Sequence, residues 1–388
     1  MPFNTKTVME QKQEFVLLAQ QADTNLSLLC RRYGISRKTG YKWIKRYEQA
    51  GSKGLAEQSK RPNTHPNQTG QIAEQCIVEL RTQNPEWGAK KIYKILERNK
   101  SAGNFTQAIP ARSTINIILK RKGLISQHRS EQSGKWQRFE RAHPNELWQM
   151  DFKGYFSLLD TNICHPLTIM DDHSRFNLGL FACPNQQHHT VQQQLIEVFK
   201  TYGIPQAILT DNGSPWGAAG NRPVYGEKQA FTHLEKWLIQ QHVRVLHGRA
   251  YHPQTQGKEE RFHRTLKAEL LQYESFKNYT HCQQRFDWWR EKYNCQRPHE
   301  AIEFNVPAQK YKPSHRTYSD VITTPEYDST DIVRAVTGGG FVSFKGKLYK
   351  VGKAFNGDHV AFRPTTNPNE YNIFYYNQLL RKVPLQQQ

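Results

Sequence analysis

Asp151 in the stretch WQMDFKG, Asp211 in LTDNGS and the paired glutamates Glu259 and Glu260 at the head of KEERFHRTLKAEL are acids placed at the ends of regular segments. If those segments are neighbours in space, one carboxylate from each could converge on a single point. Such a cluster suits hard divalent cations, because Mg²⁺ takes oxygen donors, keeps several waters and needs neither His nor Cys. Two ions about 3.5–4 Å apart can activate a water or a 3′-hydroxyl and stabilise the leaving oxygen of an in-line phosphoryl displacement. Helical geometry puts Glu260 on one face with Arg264 (i+4) and Lys267 (i+7), while Glu259 sits about 100° around the helix. Asp171 and Asp172, in IMDDHSR, compete with Asp151 for the first position.

The elements around these acids set whether they can meet. LWQMDFKGYFSLL, HPLTIMDDHS and FNLGLFAC read as strands of an antiparallel meander. TVQQQLIEVFKTYG has helical spacing and closes at Gly203, QAILTDNGS is a short apolar strand ending in a turn, and FTHLEKWLIQQ and VRVLHG are a helix and a strand. The helix carrying Glu259 and Glu260 follows, with Phe262, Leu266 and Leu270 as a buried stripe. The order β-β-β-α-β-α-β-α is that of the ribonuclease-H-like fold. There the first and fourth strands lie side by side and the last helix packs across them.

Ahead of this core the chain is strongly basic. Of the formal net charge of +20, residues 1–142 hold 26 Lys and Arg against 11 Asp and Glu, leaving 28 against 23 for the rest. That imbalance points to a polyanionic partner, and double-stranded DNA is the natural one. Phe15, Leu18, Ala19 and Ala22 repeat at helical spacing, as do Leu26, Leu29, Cys30 and Tyr33. Ser36 can cap a third helix with Trp43, Ile44 and Tyr47 inward and Arg37, Lys38, Lys42, Lys45 and Arg46 outward, a helix-turn-helix pattern. Gly40 is its misfit, since glycine in mid-helix costs about 1 kcal/mol relative to Ala. A second such unit has an apolar face of Ile72, Cys76, Ile77 and Leu80, a Trp87-Gly88 turn, and a helix capped by Ser113 that offers Asn116, Lys120 and Arg121 to DNA. After about residue 330, short alternating runs with Lys-Gly-Lys and Asn-Gly turns predict a small SH3-like β-barrel.

The domain organisation predicted is helix-turn-helix units over 1–62 and 63–126, a linker over 127–142, an α/β ribonuclease-H-like core over 143–308, a linker over 309–329 and a β-rich domain over 330–388. No apolar run approaches the roughly 20 residues that span a bilayer, so a membrane role is excluded. The six cysteines are scattered without a C-x-x-C pair or zinc spacing and read as reduced thiols, and the N-terminus lacks a secretory pattern. A cytoplasmic, nucleoid-associated location is the expectation.

LWQMDFKG, LTDNGSPWG and HPQTQGKEERFHRTLK resemble the catalytic segments of DDE insertion-sequence transposases, whose cores are similar to retroviral integrases. The match covers about residues 143–307 and closes on YNCQRPHEAI. The family's acid stands two residues before an aromatic and seven before a Lys. The resemblance therefore implies Glu260, with Phe262 and Lys267, and gives Asp151, Asp211 and Glu260 as the catalytic and metal-binding set. It implies two Mg²⁺ per site, with Mn²⁺ able to substitute, and Lys258, Arg264 and Lys267 beside the DNA. It further implies binding of an element's terminal inverted repeats, cleavage of each 3′ end, strand transfer into target DNA, and a homodimer or larger synaptic assembly. Two departures stand out: 48 residues between Asp211 and Glu260, longer than in retroviral integrases, with PWGAAGNRPVYGEK as the inserted material, and no His-His-Cys-Cys zinc unit at the N-terminus. A catalytically inactive DNA-binding regulator and a structure-selective nuclease of the same fold are the competing readings. The first is opposed by the filled acid positions, the second by two helix-turn-helix units.

Overall fold

The computed structural model describes residues 6–57, 59, 68–125, 140–211, 213, 215–216, 231–247, 257–367 and 370–384. The chain divides into two compact units, residues 1–68 and 69–388. Most of the predicted 127–142 linker, most of PWGAAGNRPVYGEK and the HPQTQ stretch fall outside the described residues.

The first unit is a bundle of α1 (Val8–Ala19), α2 (Leu26–Arg32) and α3 (Arg37–Ala50). Each helix starts on a side chain that satisfies an orphan amide: Thr7 in a capping box with Glu10, Asn25, and Ser36. Phe15, Val16, Leu29, Cys30, Trp43 and Leu55 close the core. Gly40 is no misfit here, because a Cβ on it would stand 2.7 Å from Cys30 Sγ and 3.0 Å from Phe15 Cζ. The helices meet where only a hydrogen fits, and the propensity cost is offset by that close approach.

The second unit begins with α4 (Gln71–Gln83), α5 (Ala89–Ser101) and α6 (Arg112–Arg121), packed around Ile77, Trp87, Ile92, Leu96, Ile115 and Leu119. Two local expectations fail. Ala111 is the N-cap of α6 and Ser113 lies inside its first turn, and Ile72 is 66% exposed because Ala73 and Ile77 carry the inward face of α4.

The core follows as β1 (Trp148–Phe152), β2 (Phe156–Ser157), β3 (Ile163–Asp171), β4 (Asn177–Cys183), α7 (His188–Tyr202), β5 (Ala207–Thr210), α8 (His233–Gln240), β6 (Arg244–His247), α9 (Gly257–Leu266) and α10 (Tyr279–Cys295). The predicted first strand is broken into β1 and β2 at Gly154, whose φ of +87° suits glycine. β3 pairs antiparallel with β1 and β4, while β1, β5 and β6 run parallel. One sheet face packs on α7 and α8 through Leu167, Ile169, Leu195, Phe199 and Leu238. The other packs on α9 and α10, where Phe262, Leu266 and Leu270 form the predicted stripe against Met170, Leu180 and Phe286. This is the expected ribonuclease-H-like arrangement.

The segment before the tail is bound to the core. Tyr311 stacks on Phe176 at 4.4 Å, and Arg316 donates to the carbonyls of Pro205 and His242 at 2.6 and 2.8 Å. From β7 (Ile332–Thr337) onward the chain forms β8 (Phe341–Phe344), β9 (Lys347–Lys350), β10 (His359–Pro364), β11 (Glu370–Tyr375) and β12 (Gln378–Pro384). They make a curled antiparallel sheet, order β12-β11-β10-β7-β8-β9, the half-barrel form of the predicted β-rich domain.

Candidate active site

Asp151 and Asp211 come together through strand register. Gln149 pairs with Leu209 in the parallel β1–β5 ladder, and each aspartate lies two positions further on, at the carboxyl end of its strand. Ligand crevices in open α/β sheets lie at such ends. Asp211 is fixed by the Gly213 amide, which donates to its Oδ1 at 2.9 Å, and by His247, whose Nδ1 donates to its carbonyl oxygen at 3.0 Å. His247 Nε2 in turn lies 2.7 Å from the buried carboxyl of Glu235.

Across this point runs α9, with both glutamates in its first turn. They separate by burial: Glu260 is exposed, whereas Glu259 is 1% exposed. Asp151 experiences both neighbours across the crevice. Burial, then the Asp211 carboxylate, raise its carboxyl to about 7; the Phe152 amide opposes the shift and Glu260 adds to it. Sequence-distant acids thus crowd Asp151 with like charge. Arg264 and Lys267 are exposed on the same stretch of helix as Glu260.

The competing acids have another fate. Asp171 accepts from the Asn145 and Ser174 amides at 2.8 Å and from the Ser174 hydroxyl at 2.5 Å. Asp172 accepts from Gln149 Nε2 at 2.6 Å, the Arg141 amide at 2.9 Å and Lys258 Nζ at 2.5 Å. Both are buried and fully engaged in holding the β3–β4 turn. Lys258 is therefore taken up by Asp172, and burial lowers its ammonium to about 8.

Thr168, His263 and Lys153 are residues at the site that sequence reasoning did not single out. Glu259 Oε2 lies 3.1 Å from Thr168 Oγ1, and Thr168 Oγ1 is 2.8 Å from His263 Nε2. Burial, and then Asp151, push Glu259 well above the usual carboxylate range; burial, then Lys153, lower His263 to about 3, so its ring is neutral. Lys153 also lowers Asp151, which puts a cation beside the acids. Only the two-residue spacing Asp151–Lys153 along one strand face could have signalled it.

The described residues assemble no group of three His, Cys, Asp or Glu side chains at chelating distance. The fit to a divalent cation rests on donor chemistry: Asp151, Asp211 and Glu260 offer oxygen ligands only, and the Asp211 and Glu260 carboxylates disfavour negative charge on Asp151. Those observations suit Mg²⁺.

Of the DNA-facing residues expected on the two helical units, Arg37, Lys38, Lys42 and Lys45 are exposed on α3; Arg46 is half-buried, 5.2 Å from the Trp43 ring. Tyr41, 62% exposed, lies among them. Asn116 and Lys120 are exposed on α6, while Arg121 pairs with Glu74 at 2.6 Å.

Comparison with known proteins matches the chain to families domain by domain. Residues 141–253 and 241–307 match Integrase core domain families, residues 11–63 a Helix-turn-helix domain, residues 39–119 a Homeodomain-like domain, and residues 331–388 the C-terminal domain of the IS481 family transposase. The Insertion element IS407 uncharacterized 31.7 kDa protein of Burkholderia multivorans is 22% identical over 271 residues, 69% of this chain and 90% of that protein. The Gag-Pro-Pol polyprotein of mouse mammary tumor virus is 32% identical over 127 residues, 33% of this chain but 6% of the polyprotein. Among solved structures, a chain of the simian T-cell lymphotropic virus intasome in complex with PP2A regulatory subunit B56 gamma matches with a TM-score of 0.38 at 13% identity, covering 80% of this chain and 100% of that one. The HTLV-2 integrase catalytic core domain in complex with magnesium matches at 0.32 and 13% identity, covering 44% and 97%.

Proposed function

Because the chain is an insertion-sequence transposase of the integrase-core kind, we infer that it binds its element's terminal inverted repeats through the two helix-turn-helix units, cleaves the 3′ ends and transfers them into target DNA. The observation that carries this reading is the placement of Asp151 and Asp211 at the carboxyl ends of two paired parallel strands, with Glu260 exposed in the first turn of α9. Asp151, Asp211 and Glu260 would hold two Mg²⁺, with Mn²⁺ as a substitute. When bound, such ions polarise the phosphodiester and the attacking oxygen.

The protein's own groups then have separable tasks. Asp151 and Asp211 are fixed at the strand ends, so their oxygens meet a substrate without reorganising. Arg264 on α9 and Lys267 in the helical turn that follows it take phosphates of the DNA end, and Lys153 follows β1 close to Asp151. The basic face of α3, with Tyr41, supplies base and backbone contacts in a groove. Two ends must be processed together, so a homodimer or larger synaptic assembly on double-stranded DNA is part of the proposal, as is a cytoplasmic, nucleoid-associated location.

The test is incubation of the full chain and Mg²⁺ with a labelled duplex carrying the repeats that flank its gene and a supercoiled plasmid. Joined product is expected. Specific repeat binding without cleavage or joining would favour a DNA-binding regulator.

A further inference from the structure

Behind Asp151 lies a buried acid that the cation-binding reading leaves unused. Thr168 stands opposite Asp151 in the β1–β3 ladder, and its hydroxyl is 3.0 Å from the Asp151 carbonyl oxygen, 3.1 Å from Glu259 Oε2 and 2.8 Å from His263 Nε2. The Thr168 hydroxyl has one proton, which it gives to the Asp151 carbonyl or to Glu259 Oε2, and its lone pairs can receive from His263 Nε2, so the three partners share one group. Glu259 and His263 are one helical turn apart, with 3.7 Å between Oε2 and Nε2. The other ring nitrogen, Nδ1, lies 3.9 Å from Asp151 Oδ2, while Asp151 Oδ1 accepts from the Phe152 amide at 2.8 Å. Asp151 is thus held by hydrogen bonds at its carbonyl and at Oδ1, with the His263 ring nearby at Oδ2.

A similar pair, Glu235 and His247, stands behind Asp211, and the contrast is instructive. Glu235 uses one oxygen to accept from the Thr232 amide at 2.6 Å, capping α8, and the other to reach His247. That is a scaffold role. Glu259 caps nothing, and its Oε1 is buried without a partner. An aliphatic side chain would fill the same space without burying a carboxyl, so packing alone does not account for an acid there.

We propose that Glu259 and His263, acting through Thr168, are positioning residues that hold Asp151 against the first turn of α9 and so set its relation to Glu260 before cation or DNA arrives. This rests on the reading of Asp151 and Glu260 as cation ligands. A ligand locked by its surroundings binds without losing further freedom, and supporting partners of this kind are sensitive sites.

The experiment measures Mn²⁺ affinity of the full-length protein by electron paramagnetic resonance, with kcat and KM for joining, in wild type, Glu259→Leu, Glu259→Gln, Glu260→Gln, Thr168→Val and Thr168→Ser. Glu259→Leu and Thr168→Val should lose about 10–100-fold in Mn²⁺ affinity, with kcat reduced and KM for the duplex unchanged. Glu259→Gln and Thr168→Ser retain a hydrogen-bonding group and should restore most of that loss. If Glu259→Leu does not fold, the Thr168 pair decides alone. Wild-type Mn²⁺ affinity in Thr168→Val would overturn the proposal. So would a loss in Glu259→Gln as large as in Glu260→Gln, because it would make Glu259 a ligand in its own right. Wild-type protein that neither binds Mn²⁺ nor joins DNA would instead overturn the underlying reading, so the two failures are distinguishable.

Discussion

Asp171 and Asp172, where β3 ends beside the start of β1, and Asp151 with Asp211 and Glu260 are acids of the same kind in opposite circumstances. The first pair is surrounded by donors: three N–H or O–H groups close on Asp171, and two N–H groups and an ammonium on Asp172. The second group is surrounded partly by its own charge, and Asp151 is driven to about 7 by burial and by Asp211. An acid satisfied by donors holds the fold, whereas an acid at a strand end that burial and neighbouring carboxylates disfavour as an anion fits a cation that is not part of the chain.

The largest effect that sharpens this contrast is on joining. Asp151→Asn, Asp211→Asn and Glu260→Gln should each remove cleavage and joining beyond the roughly 100-fold expected for loss of a supporting partner, with repeat binding retained in gel-shift assays. Loss of repeat binding in these variants would break the division of labour. Asp172→Ala should behave in the reverse sense. Taking the buried carboxylate away from the Lys258 ammonium costs about 3–5 kcal/mol, readable as a lower urea midpoint. A midpoint unchanged from wild type would show that the pair does not hold the turn.

The pH dependence separates the groups further. A carboxyl raised in the folded state is protonated there while the unfolded chain has already lost its proton, so Asp151 costs stability as pH rises from about 4 towards about 7. His263, lowered to about 3, acts oppositely, since below about 6.5 the unfolded state takes a proton that the folded state refuses. In metal-free melting curves, Asp151→Asn should therefore gain stability over wild type as pH rises through this window. A constant difference would contradict a raised Asp151 carboxyl. The smallest effect concerns two lysines of one helix region. Lys267→Ala should reduce the salt slope of DNA binding by about 0.9, as loss of one phosphate contact does, and Lys258→Met should leave it unchanged.

Much of this contrast was legible in the chain. Strand alternation and helical spacing give the order of the core, and the Phe262, Leu266 and Leu270 stripe fixes which face of α9 is buried. From there Glu260 must lie on an exposed side. What periodicity does not carry is contact between residues distant in sequence. Thr168 meets Glu259 and His263 across 91 and 95 positions, and Lys258 meets Asp172 across 86. Lys258 reads as a base for DNA until that partner is known. Gly40 reads as a flaw until Cys30 and Phe15 are seen against it, and Ser113 reads as a cap because its type suits one, although the helix starts earlier.

The most direct test is Mg²⁺-dependent joining of the repeat duplex by wild type and Asp211→Asn side by side, with repeat binding measured on the same preparations. Equal binding and joining by wild type alone is the predicted result. Joining by Asp211→Asn at the wild-type rate would contradict the assignment of chemistry to the crowded acids.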